Sequence, residues 1–154
     1  MKAFLFVVLL THMYSAKPFV PEAWFETGIA ILPADFAPKD TKGEDAVQKT
    51  DQVLVVADGV GSWVDTEGAK PDRFSKFLCK SVKDEHLKND KITARDLLEL
   101  GCLKAEEQFV GSASAVIVKL DKNEHEQEKF VQTMSTAQLG DPGYSIFRTI
   151  EAIG

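Results

Sequence analysis

The stretch "VLVVADGVGSW", residues 53–63, governs the reading of the whole chain. Val53 to Ala57 form a continuous, mostly β-branched apolar run. It is too short for a confident helix and long enough for a strand covered on both faces. The run ends abruptly at Asp58-Gly59. Asp-Gly is a common turn dipeptide, because aspartate tolerates turn geometry and glycine allows positive φ. The same dipeptide at the end of a rigid strand can also hold a carboxylate in place to bind something. The residues themselves leave both readings open.

Upstream, Trp24 to Leu32 ("WFETGIAIL") alternates as a half-buried strand does, and "PADFAPKDTKG" follows as a loop. Downstream, Pro71 suits the first turn of a helix, where its missing N–H costs nothing. Phe74, Phe77, Leu78 and Val82 then give an apolar stripe running through Leu87. A second helix starts near Thr93, with Asp96 completing a capping-box-like pair, and its stripe is Leu98, Cys102, Ala105 and Phe109. From Gly111 the period falls to two, so "SASAVIVKL", "KFVQTMSTAQL" and "YSIFR" read as three strands, the first two joined by the polar loop "DKNEHEQE". Strands, two helices and a strand meander, without βαβ alternation, predict an α+β fold with antiparallel sheets and helices on a face.

The 154 residues are about one domain's worth, and 44% hydrophobic with 27% charged residues is ordinary for a globular protein. Lys plus Arg number 18 against 24 Asp plus Glu, for a formal charge of −6. With no basic cluster, the electrostatic footprint of nucleic-acid binding is missing, whereas acidic surfaces attract divalent cations. The start of the chain, residues 1–20, carries Lys2, an apolar run from Ala3 to Leu10 and small residues Ser15 and Ala16. It reads either as a signal or targeting segment or as a hydrophobic first strand, and the run is too short for a stable membrane span. Residues 21–154 are then expected to carry the fold, as part of a domain.

Several familiar chemistries fail on their parts. "GVGSWV" has only the first two glycines of a dinucleotide loop and no helix directly after it. "DKNEHEQE" has Glu126 where a calcium loop needs glycine. Cys79 lacks the arginine and histidine of a thiolate phosphate cradle, and Cys79 and Cys102 read as buried thiols. His12, His86 and His125 lie in the leader, a helix and a polar loop, where each reads as a solvated surface residue and not as a hydrolase base. What remains are acids in turns at strand ends: Glu44 and Asp45 in "KGEDA", Asp58 in "VADGVG" and Asp141 in "QLGDPGY". Hard cations take such oxygen ligands, held at fixed separation with water completing the sphere.

The ordered blocks "GIAILPADFAPKDTKGEDA", "VLVVADGVGSW", "PDRFSKFLCKSV", "GSASAVIVKLD" and "STAQLGDPGY" resemble the metal-dependent PP2C (PPM) serine/threonine phosphatases, most closely the PTC7-like branch. The resemblance runs from about Thr27 to Arg148 and covers the amino-terminal half of that family's catalytic domain. It implies an antiparallel β-sandwich flanked by helices, in α-β-β-α layers, here truncated. It implies two Mg2+ or Mn2+ ions, with a third more weakly held, and a water nucleophile that hydrolyses phosphoserine and phosphothreonine in a phosphoprotein substrate. Asp45, Asp58 and the Gly59 carbonyl are carried over as metal ligands, Asp45 and Asp58 with the catalytic role. Glu44 is carried over as a water-mediated partner and Asp141 as the ligand of the third ion, although Pro142 replaces the family's serine there. Lys39 or Lys42 corresponds to the positive residue that meets the phosphate, and either also reads as a solvated loop lysine. The family's later aspartates are not matched, so a noncatalytic pseudophosphatase that binds a partner is the alternative. The branch implies a mitochondrial location, whereas the apolar leader implies the secretory pathway.

Overall fold

The computed structural model describes residues 6–10, 24–31, 43–123 and 131–146. Strand β1 (Phe6–Leu10) pairs antiparallel with β2 (Glu26–Ala30). A four-stranded antiparallel sheet follows in the order β3 (Asp45–Lys49), β4 (Val53–Gly59), β5 (Ala113–Asn123) and β6 (Val131–Leu139). Helices α1 (Pro71–Lys88) and α2 (Ala94–Gln108) lie between β4 and β5 in the chain. The β3–β4 turn is closed by Thr50, whose Oγ1 accepts from the amides of Gln52 and Val53 at 3.2 and 2.9 Å. That local bond substitutes for ladder bonds the turn cannot make.

Strand alternation decides the core. Val53, Val55 and Ala57 of β4 and Ala113, Ala115 and Ile117 of β5 face the helices. There they meet Phe74, Leu78, Cys79 and Val82 of α1 and Leu97, Leu98 and Ala105 of α2. The α1–α2 approach is close: a Cβ built on Gly101 would lie 2.7 Å from Val82 Cγ2. The intervening residues Val47, Leu54, Val118 and Leu120 look the other way and gather around Phe25. The architecture is therefore α+β, a four-stranded antiparallel sheet with two helices on one face, consistent with a truncated version of the layered fold expected. Pro71 occupies the first turn of α1, and Thr93 caps α2 by accepting from the Asp96 amide at 3.1 Å.

Three expectations are corrected. Leu87 is 66% exposed, because the buried line of α1 runs Leu78, Val82, His86 at four-residue steps and Leu87 falls about 100° off it. For the same reason His86 is not a surface residue but is buried, 5% exposed. Tyr144 to Ile146 form no strand; after Pro142 the Tyr144 hydroxyl meets Thr136 Oγ1 at 3.0 Å instead of the segment entering the ladder. His12 and His125 lie outside the described residues. No described helix is long and apolar enough to cross a membrane.

Candidate functional site

Strand pairing builds the site. Asp45 opens β3, Asp58 is the penultimate residue of β4, and the register sets them directly opposite each other. Opposed residues share a face with Cβ atoms about 5 Å apart. Their neighbours Ala46 and Ala57 are buried against the helices, so both carboxylates fall on the face turned away from α1 and α2. The row continues to Ser114, opposite Asp58 in β5, and on to Gly140, where a built Cβ would lie 2.9 Å from Ser114 Cβ. Asp141, which is exposed, therefore leaves the sheet at the same end.

The acidic turn before β3 is pinned from two sides. Gly43 starts it at φ 68°, in the left-handed region that favours glycine. The Glu44 carbonyl accepts from the Gly59 amide at 3.2 Å and from the hydroxyl of Ser75 in α1. A Cβ built on Gly59 would lie 2.8 Å from the Pro71 carbonyl oxygen and 2.9 Å from that of Glu44. Glycine is what lets the end of β4 pass between the turn and α1. The Glu44 carboxylate lies over the segment that follows, since a Cβ built on Gly61 would be 2.5 Å from its Oε2.

The electrostatics follow from this crowding. Burial, then the charge of Asp58, a hydrogen bond to Asp58 and the charge of Glu44 push the Asp45 carboxyl up to about 6. Burial, then Asp58 and Asp72, also raise Glu44. Among the described residues no lysine or arginine forms an ion pair with Glu44, Asp45 or Asp58. Opposed carboxylates without a counter-charge favour protonation or a bound cation. Their all-oxygen chemistry suits a hard ion such as Mg2+ or Mn2+. The fit is to part of a coordination sphere, because no group of three or more His, Cys, Asp or Glu side chains converges among the described residues.

The structure thus sets Asp45 opposite Asp58 with Gly59 beside it, ties Glu44 to Gly59 through its backbone carbonyl, and places Asp141 at the same sheet end without joining it to the pair. Lys39 and Lys42 lie outside the described residues. Ser75 and Asp72, which touch the turn or its charge, escaped the sequence reading. Their one signal was a serine inside the apolar stripe between Phe74 and Leu78.

Known proteins match this chain in part. It is 33% identical over 122 residues to the Protein phosphatase PTC7 homolog of Xenopus laevis, an alignment covering 72% of this chain and 38% of the frog protein. The human Protein phosphatase PTC7 homolog is 32% identical over 120 residues, covering 72% of this chain and 37% of its own length. The Protein phosphatase PTC7 homolog fig of Drosophila yakuba is 33% identical over 102 residues, covering 63% of this chain and 29% of its own length. Over 63–72% of its length the chain is thus similar to PTC7-like protein phosphatases, the PP2C-type family that its sequence blocks resemble. It spans less than two-fifths of the length of these relatives, 38% at most. No family model matches it, and no solved structure matches it significantly.

Proposed function

We propose that this chain carries the first metal-ligand pair of a Mg2+- or Mn2+-dependent protein phosphatase acting on phosphoserine and phosphothreonine. The observation that supports it most is the Asp45–Asp58 pair on one face of the sheet, which has no ion-pair partner among the described residues. Asp45, Asp58 and the Gly59 carbonyl would hold the ion, Glu44 would act through water, and Asp141 would serve a weaker site. Bound there, the ion supplies Lewis acidity, which activates water near neutral pH and offsets phosphoryl charge. The chain's own part is to keep two carboxylates side by side on a rigid hairpin against their mutual repulsion, with Asp58 open to solvent. Lys39 or Lys42 would meet the phosphate dianion.

Hydrolysis of para-nitrophenyl phosphate with manganese, comparing the full chain with Asp58→Asn, tests this. A manganese-dependent rate that drops about 100-fold or more in the variant supports catalysis through an Asp58-held ion; equal rates reject it. One observation favours a second reading, a noncatalytic module that binds phosphoprotein: only two carboxylates face each other among the described residues. Phosphopeptide binding without turnover in either protein supports that reading.

A further inference from the structure

We infer that Ser75 is a positioning residue for the proposed cation site, its buried hydroxyl latching the Glu44–Asp45 turn onto α1 so that Asp45 stays opposite Asp58. The inference rests on the metal reading above for its purpose, and on geometry alone for the latch. Ser75 is fully buried, 0% exposed, and its Oγ donates to the Glu44 carbonyl 31 residues earlier in the chain. A serine in a helix has a local alternative in the carbonyl three residues back, and Asp72 O is there at 3.2 Å. The hydroxyl has one proton. The long-range bond to Glu44 is thus not needed to satisfy Ser75; it serves the turn.

The turn needs such a hold. Within the four-stranded sheet β3 has one neighbour, β4, and Asp45 is its first residue, where a ladder frays most easily. There the chain sets Asp45 against Asp58 and near Glu44. Like charges directly opposite on adjacent strands are destabilising, so the ionised pair pushes the strand end open. Two bonds to one carbonyl oppose this, the Gly59 amide from β4 and the Ser75 hydroxyl from α1. Lys76 adds a third, exposed strap, donating to the Gly43 carbonyl at 3.4 Å while paired with Asp72 at 3.3 Å. The buried hydroxyl is the strap that water does not compete with. A pair held together in advance does not spend binding energy on being gathered.

The test uses the full chain and four variants, Ser75→Ala, Ser75→Cys, Ser75→Thr and Ser81→Ala. Ser75→Cys keeps nearly the size with a weak donor, Ser75→Thr restores the hydroxyl, and Ser81 is a buried serine farther along α1 that controls for general loosening. Two quantities are read: Mn2+ affinity by water-proton relaxation, and hydrogen exchange at the Gly59 amide by NMR. Ser75→Ala should bind Mn2+ about fivefold more weakly and exchange the Gly59 amide about fivefold faster, the loss expected for one net hydrogen bond. Ser75→Cys should move both in the same direction, and it carries the comparison if Ser75→Ala fails to fold. Ser75→Thr should stay near wild type, and Ser81→Ala should change neither. Unchanged exchange at Gly59 in both Ser75→Ala and Ser75→Cys overturns the latch. Faster exchange with unchanged Mn2+ affinity overturns the positioning role. If the wild-type chain takes up no Mn2+, the metal reading fails by itself and the exchange result alone decides the latch.

Discussion

Replacing Gly59 with alanine puts the packing of the site to a quantitative test. The added Cβ would lie 2.8 Å from Pro71 O and 2.9 Å from Glu44 O. Both are backbone atoms, one in the first turn of α1 and the other in the acidic turn, so neither can swing aside as a flexible side chain would. Overpacking of this kind costs about 1–3 kcal/mol. Forcing Glu44 away also lengthens the 3.2 Å bond from the Gly59 amide, worth about 1 kcal/mol net. The sum of about 2–4 kcal/mol is a large share of a typical domain stability of roughly 5–15 kcal/mol. It corresponds to a midpoint about 5–15 °C lower for a domain of this size. Thermal unfolding followed by far-UV circular dichroism measures the shift, with Gly143→Ala as control because none of the described residues lies within 4 Å of a Cβ built there. A Gly59→Ala midpoint within about 1 °C of wild type would refute the close approach of turn, strand and helix.

Acid titration separates the other charged sites. Asp45 titrates at about 6 in the folded chain against an ordinary value of 3.8, so its contribution to stability is complete below pH 3.8 and lost as pH rises through about 6. In metal-free buffer Asp58→Asn should therefore gain stability relative to wild type between pH 4 and 7, and a constant difference across that range contradicts the pairing. His86 behaves in the opposite sense: burial, then Lys119, lower its pKa against the weaker pull of Asp90 and Asp121. Its contribution is present above the ordinary 6.5 and lost as pH falls, so His86→Gln should flatten the drop in urea midpoint between pH 7 and 5. Leu97→Ala, at a fully buried position between α2 and the sheet, should cost about 2–5 kcal/mol by urea unfolding, and a cost under about 1 kcal/mol contradicts the core assignment.

Much of this fold was legible because each element carried its own period. The apolar run of β4, Pro71 at the start of α1, Thr93 as cap of α2 and the alternation of β5 and β6 are local signals, and each became the element it indicated. The errors came where tertiary direction overrides local pattern. Leu87 continued an apolar series but fell off the buried line, and His86, polar by type, stood on it. "YSIFR" alternates like a strand, yet Tyr144 to Ile146 turn aside after Pro142. At the site, the acids were visible as strand-end residues, but their opposition depends on the β3–β4 register, which the three-residue turn at Thr50 closes. Ser75 was invisible for a related reason: its partner lies 31 residues away, and no spacing in the sequence announces it.

Manganese uptake by the full chain at pH 7, read from the free-ion signal in electron paramagnetic resonance, tests the site most directly. The opposed Asp45–Asp58 pair predicts saturable binding that falls at least about tenfold in Asp58→Asn, because half of the carboxylate pair is gone. No uptake by the wild-type chain, or equal uptake by wild type and variant, would contradict it.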